Sequence, residues 1–165
     1  MWGGEDFIIA FFPCIRFEAQ ILLEFRGDCW QARNWTKKDC LEYDLKLHKE
    51  LHHNYNLITK LALICINKNI PLIIENPYST QHYLHRYWCL KPSLIDDDRS
   101  KMGDFYKKPT QYWFINCEPK QNFIMEPLQQ VELKTISKTS NTVERSMIHP
   151  QYANRFIREF IIDEI

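Results

Sequence analysis

Phe7-Ile-Ile-Ala-Phe-Phe-Pro-Cys14 is the stretch that decides the fold. A short, unbroken apolar run, mostly β-branched and aromatic and stopped by Pro13, predicts a strand covered on both faces with Cys14 at its carboxyl end. A second run, Pro71-Leu-Ile-Ile-Glu-Asn76, turns polar only in its last two residues and predicts another buried strand. Between them, Thr36 followed by Asp39 has the spacing of a capping box. Leu41, Leu45, Tyr55, Ile58, Ala62 and Cys65 then recur at helical intervals, and Asn67-Lys-Asn69 closes the helix. Strand, long helix, strand is one crossover of a parallel sheet, which brings Cys14 and Glu75 to the same sheet edge.

Working outward, Ser79 is expected to cap a short aromatic helix carrying Tyr83, Leu84, Tyr87 and Trp88. Asp96-Asp-Asp98 and Gly103 mark a loop, and Gln111-Tyr-Trp-Phe-Ile-Asn-Cys117 is a third strand. Residues 126–144 are polar and rich in Ser and Thr, which predicts a flexible excursion. Pro150 stands at the start of a last helix whose apolar face is Tyr152, Phe156, Ile157 and Phe160. The expected architecture is a single α/β domain over residues 1–165: a truncated Rossmann-like, mostly parallel sheet with flanking helices.

Composition narrows the function. The 21 Lys and Arg balance 21 Asp and Glu, so the chain has no general attraction for phosphate, and any nucleic-acid site must be a local patch. With 45% hydrophobic and 14% aromatic residues it is no disordered tail or linker. Glu5 and Asp6, not positive residues, precede the first apolar run, which is too short to cross a bilayer; neither a signal peptide nor a membrane span is expected. The six cysteines form no C-x-x-C pair and are expected to stay reduced in a cytoplasmic protein.

Ligands of open α/β sheets collect beyond the carboxyl ends of the strands, where Cys14 and Glu75 fall. A thiol and a carboxyl group there suit addition to an electron-poor ring, sulfur attacking carbon while the acid protonates or hydrogen-bonds a ring nitrogen. The residues by themselves also fit a plainer role, Cys14 as a small buried hydrophobe and Glu75 as a carboxylate bonded to a neighbouring loop. Lys107 and Lys108 beside Tyr112 and Trp113 make a patch for phosphate contact and base stacking, to which Tyr83 and Trp88 could add; these aromatic residues equally fit a core or a protein interface. His48 and His52 share a helix face without a third ligand, so no metal site is expected.

Four segments together resemble phage-type DNA cytosine carbon-5 methyltransferases. They are Phe7 to Cys14, Pro71 to Pro77, Gly103-Asp-Phe-Tyr-Lys-Lys-Pro-Thr-Gln-Tyr-Trp113 and Arg145-Ser-Met-Ile-His-Pro150, spread over about residues 7 to 157. The resemblance implies that Cys14 is the thiol that adds to cytosine carbon-6, that Glu75 contacts ring nitrogen-3, and that Pro13, Asn76 and Pro77 belong to the substrate loop. Asn76-Pro77-Tyr78 is also similar, one proline short, to the motif of amino-group DNA methyltransferases. The family's glycine-rich loop for S-adenosylmethionine would precede the Pro-Cys strand by many tens of residues, and Gly3, Gly4, Gly27 and Gly103 do not compose one; Phe12 replaces the family's first proline.

The expectation is therefore a methyltransferase-like protein of phage or mobile-element origin that is inactive alone and binds no cofactor. It would grip a protein, a nucleoprotein or a nucleic acid, for instance as an inhibitor of restriction or CRISPR machinery. The alternative is an active half completed by a separate cofactor-binding chain, with S-adenosylmethionine as donor. The strand at residues 7–12 would have an open edge that a second copy or a partner covers.

Overall fold

A computed structural model describes residues 7–18, 21–28, 30–135, 143 and 146–162. Four strands form one sheet in the order β1-β2-β4-β3: β1 Ile8–Phe11, β2 Leu72–Pro77, β3 Leu94–Asp96 and β4 Thr110–Ile115. The helices are α1 Ile21–Phe25, α2 Lys37–Lys68, α3 Tyr83–Tyr87 and α4 Pro150–Phe160, with single-turn 3-10 helices at Trp30–Asn34 and Arg99–Met102.

The crossover formed as read. β1 and β2 are parallel, Phe11 lying beside Glu75, and α2 connects them. Thr36 and Asp39 complete the reciprocal capping box, and Asn69 ends the helix in the left-handed region at φ 51°. Leu47, Leu51, Ile58, Ala62 and Cys65 are the buried face; Leu41 and Leu45, expected to be inward, are exposed instead. At about 1.5 Å per residue α2 far outruns the sheet, so its first turns pack on α1, where the Phe25 ring lies 4.7 Å from His48. Arg16 bridges Glu24 at 3.1 Å and Glu50 at 2.5 Å.

The mostly parallel sheet did not form. Only β1–β2 is parallel; β4 runs antiparallel to β2, and β3 antiparallel to β4. Thr110 lies opposite Pro77, and the Tyr78 amide donates to the Pro109 carbonyl, so the chain between them leaves and returns at one end of the sheet. A parallel return would need a helix as long as the strand, and five-residue α3 reaches only about 8 Å. Ser79 does not cap α3 but makes the preceding turn, its Oγ accepting from the Gln81 amide. β1 is only half-buried, with Phe11 exposed, because the edge position covers it from one side.

Alternation along the strands divides the core. Leu72, Ile74, Trp113 and Ile115 face α2, α3 and Phe17; Ile73, Tyr112 and Phe114 face Tyr152 and Phe156 of α4. Large side chains closed off this fully contribute roughly 1.5–3 kcal/mol each. In the expected excursion, residues 126–135 are tied along α4 and to its neighbour: Glu126 pairs with Arg158, the Gln129 carbonyl accepts from Gln151, and the Lys134 amide donates to the Phe105 carbonyl. Residues 136–142, 144 and 145 lie outside the described set, as does Cys29.

Candidate functional site

Beyond Phe11 the chain turns tightly, the Phe17 and Glu18 amides both donating to the Cys14 carbonyl. That turn drives Phe17 into the core and lays Cys14 at the carboxyl ends of β1 and β2, half-buried. The thiol donates to Glu18 Oε1 at 2.9 Å. Burial, then the Glu18 hydrogen bond and charge, push its pKa up to about 12, against the pull of Lys108. A thiolate is the nucleophile, so this environment disfavours the reactive form of Cys14.

Glu75 is 8% exposed, one strand over, between Phe11 and Tyr112 on the α4 face. Burial raises its carboxyl pKa, while the charges of Lys108 and Arg99 oppose the rise. Lys108 thus acts on both groups, which the fold brings to one edge as the sequence indicated. Among the described residues no hydrogen bond joins Cys14 to Glu75.

The neighbouring residues have other work. Asn76 is fully buried on the opposite face, its amide donating to the Glu75 carbonyl at 2.7 Å and its Oδ1 without a partner. The Pro77 carbonyl accepts from Gln111, and Pro13 is exposed. His82, buried against the Phe17 ring at 5.9 Å, has neither ring nitrogen bonded, and burial with the nearby His85 pushes its pKa down to about 4.

Burial sets most of the patch's aromatic residues apart from its lysines. Tyr112, Trp113 and Trp88 are 3%, 1% and 2% exposed, so none can stack on a base without unfolding its surroundings. Trp88 and Trp113 meet edge to face at 5.6 Å, and Tyr83 is packed among Phe17, Tyr55 and Tyr87. Lys107 is exposed and Lys108 half-buried, but their aromatic neighbours belong to the core.

Sequence reasoning missed a buried polar cluster behind Glu75. Tyr112 and Tyr152 share a hydrogen bond at 2.7 Å, and the Tyr152 hydroxyl donates to Asp96 Oδ2 at 3.0 Å. Arg99 is ion-paired with fully buried Asp104 and stands 4.6 Å over the Tyr152 ring, its Nε without a partner. Desolvation raises the pKa of both tyrosines and of Asp96. The only hint was Gly103 between the charged residues: it adopts φ 93°, and a Cβ there would come within 2.6 Å of Gln151. That glycine serves contact with α4. Gly27, at φ 67°, has nothing within 4 Å of where a Cβ would stand.

Among the described residues no three His, Cys, Asp or Glu side chains converge on a metal site, and no helix is long and apolar enough to cross a membrane. His48 bonds Asp44 and His52 bonds Asn56. Compared with protein-family models, curated proteins and solved structures, the chain has no match.

Proposed function

We propose that the chain is a methyltransferase-like scaffold of phage or mobile-element origin that works by binding and not by methyl transfer. Its target is a protein or nucleoprotein of host defence, restriction or CRISPR machinery, which it inhibits. The observation that carries the binding role is the edge of β1, which no described strand covers: uncharged from residue 7 to 12, half-buried, with Phe11 60% exposed. An unprotected apolar edge of this kind is a template for another strand. Two further observations support binding over chemistry. Cys14 is held as a thiol by burial and by Glu18, and the aromatic residues that would have stacked bases are core, which favours a protein over a nucleic acid as target.

A second reading has one observation in its favour, the shared field of Lys108 at Cys14 and Glu75. In it, the chain is the catalytic half of a cytosine methyltransferase, completed by a separate cofactor-binding chain. Calorimetric titration with S-adenosylmethionine, with and without cytosine-containing DNA, separates the two, with Cys14→Ala as control. The binding reading expects no methyl transfer from the isolated chain. Methylated cytosine that disappears in Cys14→Ala overturns it.

A further inference from the structure

The Ile8 amide donates to the Pro71 carbonyl at 2.9 Å, which fixes the orientation of every peptide group in β1. Backbone groups alternate in direction along a strand, so Ile8 and Ala10 address β2, and Phe7, Ile9 and Phe11 turn their N–H and C=O groups to the open side. The side chains of the same three residues lie on one face, the α4 face: Ile9 packs at the margin of that cluster, while Phe7 and Phe11 are 39% and 60% exposed. The same residues therefore carry both the backbone groups that no described residue uses and the exposed aromatic surface.

Resting on the binding reading, we infer that in the free chain the strand this edge accepts is β1 of a second copy, antiparallel, about a two-fold axis through Ile9, a pairing that the target displaces. An axis perpendicular to the sheet keeps each face on its own side, so residues opposite one another must share a face. Of the registers that satisfy this, pairing Ile9 with its own mate sets Phe7 opposite Phe11 twice and satisfies all three outward residues in each strand, giving about six interchain hydrogen bonds. Centring one residue later, on Ala10, uses only Ile9 and Phe11 and brings Pro13, which has no N–H, opposite Phe7. Phe–Phe cross-strand pairs are among the favourable ones.

Electrostatics does not oppose the meeting, because the edge carries no charge from residue 7 to 12 and the chain is neutral overall. The area sets its strength. Phe7 and Phe11 of both copies would together cover roughly 400 Å² of aromatic surface. Even with the ladder the contact stays below the roughly 1,200 Å² of stable interfaces, where association is weak and reversible. The free chain is thus held in a concentration-dependent dimer.

Sedimentation or light scattering of the whole chain is expected to show one chain per particle near 1 μM and a shift to two by roughly 300 μM. Phe11→Lys, a change at an exposed edge position that leaves the circular dichroism spectrum intact, is expected to abolish the shift. Under mild oxidation Ile9→Cys is expected to form a covalent dimer whose cross-linked peptide joins residue 9 to residue 9, since paired Cα atoms there are about 5.5 Å apart, within disulfide reach. Ile8→Cys, whose mate is Ala10, is expected to give none. A chain that stays single at 300 μM, a dimer that survives Phe11→Lys, or cross-linking at residue 8 and not 9 overturns the inference. The binding reading itself fails by a different result, Cys14-dependent methyl transfer.

Discussion

Glu18→Gln tests whether the environment of Cys14, and not its place at the sheet edge, sets its reactivity. With a pKa of about 12, the thiolate at pH 8 is about one molecule in ten thousand, against about a quarter of an ordinary thiol of pKa near 8.5. Alkylation of Cys14 by iodoacetamide should then run about a thousandfold slower than that of a free thiol and rise tenfold per pH unit past pH 9. The substitution removes the carboxylate that both accepts from Sγ at 2.9 Å and repels the thiolate. Hydrogen bonds to charged groups contribute roughly 1.5–3 kcal/mol. Because Cys14 is only half-buried, the low end applies, close to one pKa unit or about tenfold in rate. Burial, the largest cause of the shift, stays, so Cys14 in the variant should still label more slowly than exposed Cys89, the internal reference in the same digest. Lys108→Met should shift the rate the other way. The assay is peptide-resolved mass spectrometry of labelling time courses between pH 7 and 10. Wild-type Cys14 labelling as fast as Cys89 at pH 7.5, or a Glu18→Gln profile that overlays the wild type, would refute the reasoning.

Two further outcomes follow from the buried polar cluster. Arg99→Met leaves Asp104 charged, buried and unpaired, and is expected to cost about 3–5 kcal/mol in urea unfolding, while Arg99→Met with Asp104→Leu recovers most of the loss; equal costs for the two would exclude the ion pair as the cause. Glu75 has a folded-state pKa above its unfolded one, so its ionisation is harder in the folded state. Its penalty is absent below the unfolded value near 4.5 and grows as pH rises toward the raised folded value. Glu75→Gln should therefore gain urea midpoint relative to wild type at pH 7.5 and little at pH 4; a gain that is the same at both, or larger at pH 4, reverses the sign.

Most of what governs local form could be read from residues near one another in the chain. Thr36 and Asp39 are three apart, Asn69 closes the helix they open, and the apolar runs at residues 7–12 and 71–74 carry no alternation that would fit a solvent-facing strand. Those signals were enough for the β1-α2-β2 crossover, and with it the approach of Cys14 and Glu75 to one edge. The direction of β4 was not legible, because it follows from α3 being too short to carry the chain back along the sheet. The three residues of β3 are too few for a pattern, and become a strand only through β4.

The aromatic residues show the division most plainly. Tyr112, Trp113 and Trp88 have the chemistry of a stacking surface and of a core alike, and only the packing of α2, α3 and α4 on the two sheet faces made them core. Asp96, Arg99 and Asp104 stand close together in one stretch of chain, but Tyr152 comes from a distant helix and no spacing rule joins it to them; the tertiary fold alone made the four a cluster. The reactivity of Cys14 was not legible in the sequence for the same reason. A thiol's reactivity depends on burial and on the charges around it, here Glu18 and Lys108, and that environment exists only once the chain has folded.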